Sequence, residues 1–263
     1  MILRTLPRPA GRLRSRARAR RAARILLALT SMAALLGLDL PEAQALPPLG
    51  VTVRADADDT AARVGALFAG GTDGGHFCTA SVVRSAGRDV IATAAHCLGH
   101  PDGTVFAPGY RDGGAPYGLW RVTEVYTDPA WTLGEDPDAD IAFATVAPVN
   151  GAQTRNVEDV VGGFPVAAAA QPGDVTVTVV GYPSSEEAPL RCSNATGLFS
   201  ATQRRIDCPD LSGGTSGSPW LAGGALAGVL GGHEGGGTVA DVSYSAVMGA
   251  AALELYREAA GAS

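Results

Sequence analysis

Along most of the chain, apolar positions fall in short runs separated by Gly, Pro and Asp. The clearest runs cover 64–68, 77–83, 90–93, 120–126, 141–146, 175–181, 204–208, 220–221 and 226–230. They are β-branched or alternating, and too short for helices. Strands of this length between turn residues predict an all-β sandwich or barrel. One segment has a different period. Met248, Ala252, Leu255 and Ala259 recur at i, i+4, i+7 and i+11, and Ser245 stands where a cap belongs. A helix over 246–259 is therefore expected to close the chain and to dock its apolar stripe on the last sheet. Residues 46–62, rich in Pro and Asp, show neither period and read as an irregular lead-in or short pro-segment. The alanine run 167–170, beside Pro172 and Gly173, reads as a loop between two halves.

Composition agrees with this pattern. A 46% hydrophobic content is enough to bury a core, and 35 glycines with 17 prolines suit many turns, so a disordered chain is excluded. The 263 residues admit either one large β domain or two smaller units.

Charge changes the picture more. Residues 1–24 carry nine arginines and no acid, and fourteen largely apolar residues follow, 25–38. The small residues of Ala43-Gln44-Ala45 come next. This is the order of an export signal, predicted to span 1–45 and to be cut after Ala45. As a helix the apolar stretch would reach about 21 Å, short of the roughly 30 Å hydrocarbon core, so a retained anchor fits poorly. Without the leader the chain keeps 11 arginines and 24 acids, a net charge of −13. Such a surface repels nucleic acid and anionic lipid, so neither is expected as a partner. The mature chain is expected to be secreted and monomeric, with no stable membrane association.

All four cysteines, Cys78, Cys97, Cys192 and Cys208, lie beyond the leader. An even number in an exported chain predicts two disulfides. No pair or His/Cys cluster has zinc spacing, so neither a metal nor a cofactor is expected.

Three short segments carry candidate chemistry. In Thr93-Ala94-Ala95-His96-Cys97 a histidine follows an apolar strand, and a disulfide at Cys97 would hold it rigid enough to serve as a base. In Asp138-Ala139-Asp140-Ile141 an acid opens a buried strand, costly unless a partner such as the second ring N–H of His96 satisfies it. Asp138 and Asp136 compete for that role, but Asp140 enters the strand directly. In Ser212-Gly213-Gly214-Thr215-Ser216-Gly217-Ser218-Pro219 a serine sits among glycines. A serine nucleophile needs a base and an anion site, and glycines let backbone N–H groups turn toward one point. The N–H groups of Gly214 and Ser216 are the natural donors. The order His, Asp, Ser is one of the known orders of a convergent triad.

These segments resemble the chymotrypsin-like (trypsin-like) serine peptidases, nearest the secreted bacterial members. Thr93–Cys97 is similar to the family's Thr-Ala-Ala-His-Cys, Asp140-Ile141-Ala142 to its Asp-Ile-Ala, and 214–219 to its Gly-Asp-Ser-Gly-Gly-Pro. The segment 78–83 resembles the strand whose cysteine pairs with the one after the catalytic histidine. The resemblance spans roughly 62–260. It implies two six-stranded antiparallel β-barrels, about 63–160 and 170–245, followed by the helix, in a peptidase domain of 63–263. It also implies catalysis by Ser216, His96 and Asp140 on protein or peptide substrates.

Three departures matter. Thr215 stands where animal members carry an acid that pairs with a newly cut N-terminus, so that activation is not expected. Ser218 replaces the second glycine and is expected to be tolerated where the chain passes into a strand, with crowding of the oxyanion loop as the alternative. Cys192 and Cys208 fall away from the family's specificity-pocket bridge and would close a separate span.

By the same resemblance Asp210, six residues before Ser216, would sit at the base of the primary pocket and select Arg or Lys. Gly231, Gly232 and His233 would form the opposite wall, and His233 facing inward would favour acidic side chains instead. An alternative to the peptidase reading is a catalytically silent binding module of the same fold.

Overall fold

The structure, a computed structural model, describes residues 48–149, 154–167 and 175–261. The expected export signal, and all of the alanine loop beyond Ala167, lie outside the described residues.

Six strands close an antiparallel barrel in the order β2-β3-β4-β7-β6-β5. They are β2 (Val64–Ala69), β3 (His76–Val83), β4 (Val90–Thr93), β5 (Thr104–Pro108), β6 (Trp120–Thr127) and β7 (Ala142–Pro148). Leu67, Val82, Ile91, Phe106 and Trp120 fill its interior. β3 and β4 are buried on both faces, because the outer face meets the second half of the molecule. That double burial is why these segments read as continuous apolar runs.

The second half is a curled sheet ordered β12-β11-β8-β9-β10-β13. Its strands are β8 (Thr176–Gly181), β9 (Leu190–Leu198), β10 (Gln203–Asp207), β11 (Pro219–Ala222), β12 (Ala225–Val229) and β13 (Val242–Ala246). The sheet curls far enough for Gly231 N–H, just beyond β12, to donate to Tyr244 O at 3.0 Å, although no ladder joins β12 to β13. The fold is therefore a closed six-stranded barrel with a half-barrel sheet of seven strands, the six above and β1 (Val51–Arg54).

The lead-in belongs to the fold. β1 (Val51–Arg54) pairs antiparallel with residues 190–193 of β9, taking the edge that β10 leaves free. α1 (Asp59–Ala62) follows, capped by Asp58, whose Oδ1 accepts from Ala61 N–H. Gly50 N–H donates to Asp207 O at 2.9 Å and Thr52 Oγ1 to Pro209 O at 2.6 Å. A Cβ on Gly50 would lie 2.6 Å from Cys192 Sγ, so only glycine lets the chain cross the second disulfide there. The irregular lead-in expected from the sequence is thus corrected to a strand and a short helix.

Two short helices, α2 (Pro129–Gly134) and α3 (Val157–Val161), lie on loops of the first barrel, and α4 (Ala250–Ala259) ends the chain. α4 starts later than expected. Ser245 is no cap but part of β13, where its hydroxyl accepts from Val229 N–H and donates to Ala246 O. The last sheet is not its sole support, since α4 packs over β6 and β7 of the first barrel. There Tyr256 meets Phe143 with ring centroids 5.6 Å apart. Disulfides join Cys78 to Cys97 and Cys192 to Cys208, the second across a sequence separation of 16.

Candidate active site

His96 sits where β4 gives way to a 3-10 turn, Ala95–Leu98. The Cys78–Cys97 bridge ties that turn to β3. Asp140 ends a second 3-10 turn, Pro137–Ala139, just before β7. Its carboxylate is 1% exposed, and three N–H groups satisfy it. The main-chain N–H of His96 donates to Oδ1 at 2.9 Å, His96 Nδ1–H to Oδ2 at 2.8 Å, and Gly232 N–H to Oδ2 at 2.8 Å. A buried carboxylate is tolerable only with such bonds. The network also assigns the Nδ1–H tautomer and leaves the lone pair on Nε2.

Gly231 and Gly232 close over this acid. A Cβ on Gly231 would lie 2.8 Å from Asp140 Oδ2. Gly232 has φ +79°, and a Cβ there would overlap Gln203 Oε1. Gln203 is a buried residue of β10 that no motif singles out. Its Nε2 donates to Pro137 O at 2.9 Å and Asp138 Oδ1 at 2.7 Å, while Oε1 accepts from His233 N–H at 3.3 Å. It joins the turn bearing Asp140 to the loop bearing Gly232. The only signal for it in the sequence is a polar side chain opening a strand.

Three carbonyls of the loop 212–218 are tied to neighbouring segments. Ser184 N–H donates to Gly213 O at 2.7 Å, Thr79 Oγ1 to Gly214 O at 3.0 Å, and Thr79 N–H to Ser216 O at 2.7 Å. Thr215 is buried, and its hydroxyl donates to Ser212 O at 2.6 Å, so the loop is satisfied without an ion pair. Ser218 does not crowd the loop. Its Oγ donates to Thr215 O at 2.6 Å and occupies space that a Cβ on Gly181 would need. Gly217 has φ +82°, and any side chain there would overlap Thr79 O and Thr93 Oγ1 of the first barrel. Among the described residues, the N–H groups of Gly214 and Ser216 donate to no protein acceptor.

Thr79 links the two halves, because its Oγ1 also accepts from Tyr182 N–H at 2.9 Å. Tyr182 is fully buried, and burial pushes its phenol far above the ordinary tyrosine value, so it stays neutral.

His96 and Ser216 line one cavity of about 490 Å³, together with Phe77, the Cys78–Cys97 bridge and His100. Ser216 also borders a second cavity of about 270 Å³. Asp210 lines neither. It is an exposed turn residue at φ +65°. His233 is drawn away between Phe199 and Tyr244, at centroid distances of 4.6 and 4.8 Å. His76 is buried among Phe68, Tyr110 and Tyr182. Trp131 of α2, unmarked by the sequence pattern, lies 6.4 Å from the His96 ring.

The family described as trypsin-like peptidase domain matches residues 78–229, more than half of the chain. Among solved structures, the protease Anisep from Arthrobacter nicotinovorans is 26% identical, with TM-score 0.67, covering 78% of this chain and 98% of its own. A thermostable serine protease from an extremophilic microorganism is 28% identical, with TM-score 0.66, covering 78% and 100%. A Glu endopeptidase shares the fold at 18% identity and TM-score 0.65, covering 81% and 98%. No curated protein matches the chain. A closed barrel that carries His96, a half-barrel that carries Ser216, and a family match that spans both segments lead to one conclusion: the chain belongs to the trypsin-like peptidase domain family.

Proposed function

We propose that the protein is a secreted serine endopeptidase that works through an acyl-enzyme on Ser216. The observation that carries this reading is the fully bonded Asp140, which fixes His96 with its basic Nε2 free in the cavity that Ser216 lines. Ser216 Oγ gives its proton to His96 Nε2 as it attacks the substrate carbonyl. The tetrahedral oxygen is held by the unclaimed N–H groups of Gly214 and Ser216. His96 then returns the proton to the leaving amine, and water releases the acyl group by the same steps. Ser216 Oγ makes no hydrogen bond among the described residues, and unliganded sites of this chemistry commonly tighten only with substrate. The paired cysteines and the basic, then apolar, leader support export. Selection of Arg or Lys by Asp210, or of acidic side chains by His233, requires a charged group beside Ser216, and neither residue lines the cavity there.

A fluorophosphonate is the test. The mature protein should gain a single adduct, on Ser216, and Ser216→Ala should gain none. A folded wild-type protein that never reacts is a silent binding module and overturns the reading.

Thr79 should act on rate rather than affinity. Thr79→Val leaves Gly214 O and Tyr182 N–H without a partner, at about 1–3 kcal/mol. The loop then loses its aim, and kcat should drop about tenfold or more while KM stays near its original value. Steady-state kinetics on a peptide ester would read the difference; an unchanged kcat would remove Thr79 from the loop's support.

A further inference from the structure

The cavity of about 270 Å³ beside Ser216 differs in chemistry from the charged pockets that the sequence suggested. Leu211, Leu230, Val239 and Ala240 give it carbon walls, and Ser212 and Thr238 add short hydroxyls. Gly235, Gly236 and Gly237, all at positive φ, form the rest of the loop across it. No ionisable side chain lines it. The charged residues next to the lining in sequence, Asp210, His233, Glu234 and the exposed Asp241, are not part of it. Asp210 is an exposed turn residue, and His233 is packed between aromatic rings. Glu234 is exposed and accepts from Thr238 Oγ1 at 3.0 Å, outside the lining. Leu230 and Leu211 are buried, whereas Val239 is 62% exposed.

Energetics decide what such a cavity accepts. A guanidinium, ammonium or carboxylate entering it would shed water and meet no counter-charge, a penalty of several kcal/mol. A hydrocarbon side chain would instead gain about 25 cal/mol for each Å² removed from water. The volume lies just below the roughly 300–1,000 Å³ of whole small-molecule sites, which suits one side chain rather than an entire ligand.

We propose that this cavity selects an uncharged, apolar side chain on the acyl side of the cleaved bond, with Leu211, Leu230 and Val239 as its specificity-determining residues. The inference rests on the serine endopeptidase reading above.

The test uses peptidyl aryl phosphonates identical except at the residue that would enter the cavity: Leu, Phe, Lys, Arg or Glu. The rate of adduct formation on Ser216 is followed by mass spectrometry, beside a small fluorophosphonate. The Leu or Phe probe should react at least about 100-fold faster than the charged ones, since each tenfold needs only about 1.4 kcal/mol. Leu211→Asp should raise the Lys and Arg probes relative to Leu by about tenfold or more. If the fluorophosphonate reacts but a charged probe matches or beats the apolar ones, the selectivity is overturned alone. It is overturned in the same way if the fluorophosphonate reacts and no peptidyl probe does. If nothing reacts, fluorophosphonate included, the endopeptidase reading falls and takes the selectivity with it.

Discussion

Alanine at Ser216 should lower kcat by about 10⁶-fold, alanine at His96 should do the same, and the double variant should be no worse than either. The reason is that, in the proposed mechanism, the two side chains perform one proton transfer. Without Oγ there is no nucleophile for Nε2 to deprotonate, and without the imidazole the hydroxyl is too weak a nucleophile to attack. The residual activity would come from the Gly214 and Ser216 N–H groups, which remain in place because Thr79 and Ser184 hold the surrounding carbonyls. Single-turnover kinetics on an activated ester would measure all three variants. Losses that multiply in the double variant would mean that the two residues act in separate steps.

Asp140 offers a sharper prediction, because its partners differ in kind. Asp140→Ala removes the acceptor for three buried N–H groups and should cost about 10⁴-fold in kcat. Asp140→Asn can turn either way. With its amide nitrogen in place of Oδ2 it faces two donors, His96 Nδ1–H and Gly232 N–H. With the nitrogen in place of Oδ1 it faces only the main-chain N–H of His96. Either orientation leaves one backbone N–H, which cannot become an acceptor, facing the amide nitrogen. Only in the first can the other partner adapt, because His96 Nδ1 accepts from the amide once its proton moves to Nε2. The imidazole then has no lone pair toward Ser216, so the asparagine variant should lose about 10⁴-fold in kcat, as much as the alanine variant. An asparagine variant that keeps about 100 times the activity of the alanine variant would show instead that the Nδ1–H tautomer survives.

What the sequence reveals of this arrangement follows the range of the interactions. His96, Cys97 and the glycine–serine loop are legible because their chemistry depends on immediate neighbours along the chain. Asp140 is legible because an acid at the mouth of an apolar strand needs a partner. Gln203, Thr79 and the turned Gly232 are silent, since each acts on residues remote in sequence across the contact between the halves. Asp210 misleads for a related reason: its spacing from Ser216 fits, but its left-handed backbone leaves it an exposed turn residue outside the cavity. Ser245 misleads too, because a residue suited to capping a helix also serves inside a strand when its hydroxyl finds a backbone acceptor. β1 is missed because four residues in a Pro- and Asp-rich stretch carry too little pattern until β9 supplies the other edge.

The pairing of β1 with β9 also bears on how the molecule is assembled. The strand made first finds its place beside residues 190–193, so it stays unpaired until most of the polypeptide has been produced. Long-range closure of this kind is slow, since chain entropy is lost before the contact rewards it. Its final stitch, Gly50 across the Cys192–Cys208 bridge, joins an early stretch of the chain to a much later one. A fragment released early therefore lacks both that seam and Ser216, and the finished molecule gains its proposed nucleophile and the partner of its first described strand almost together.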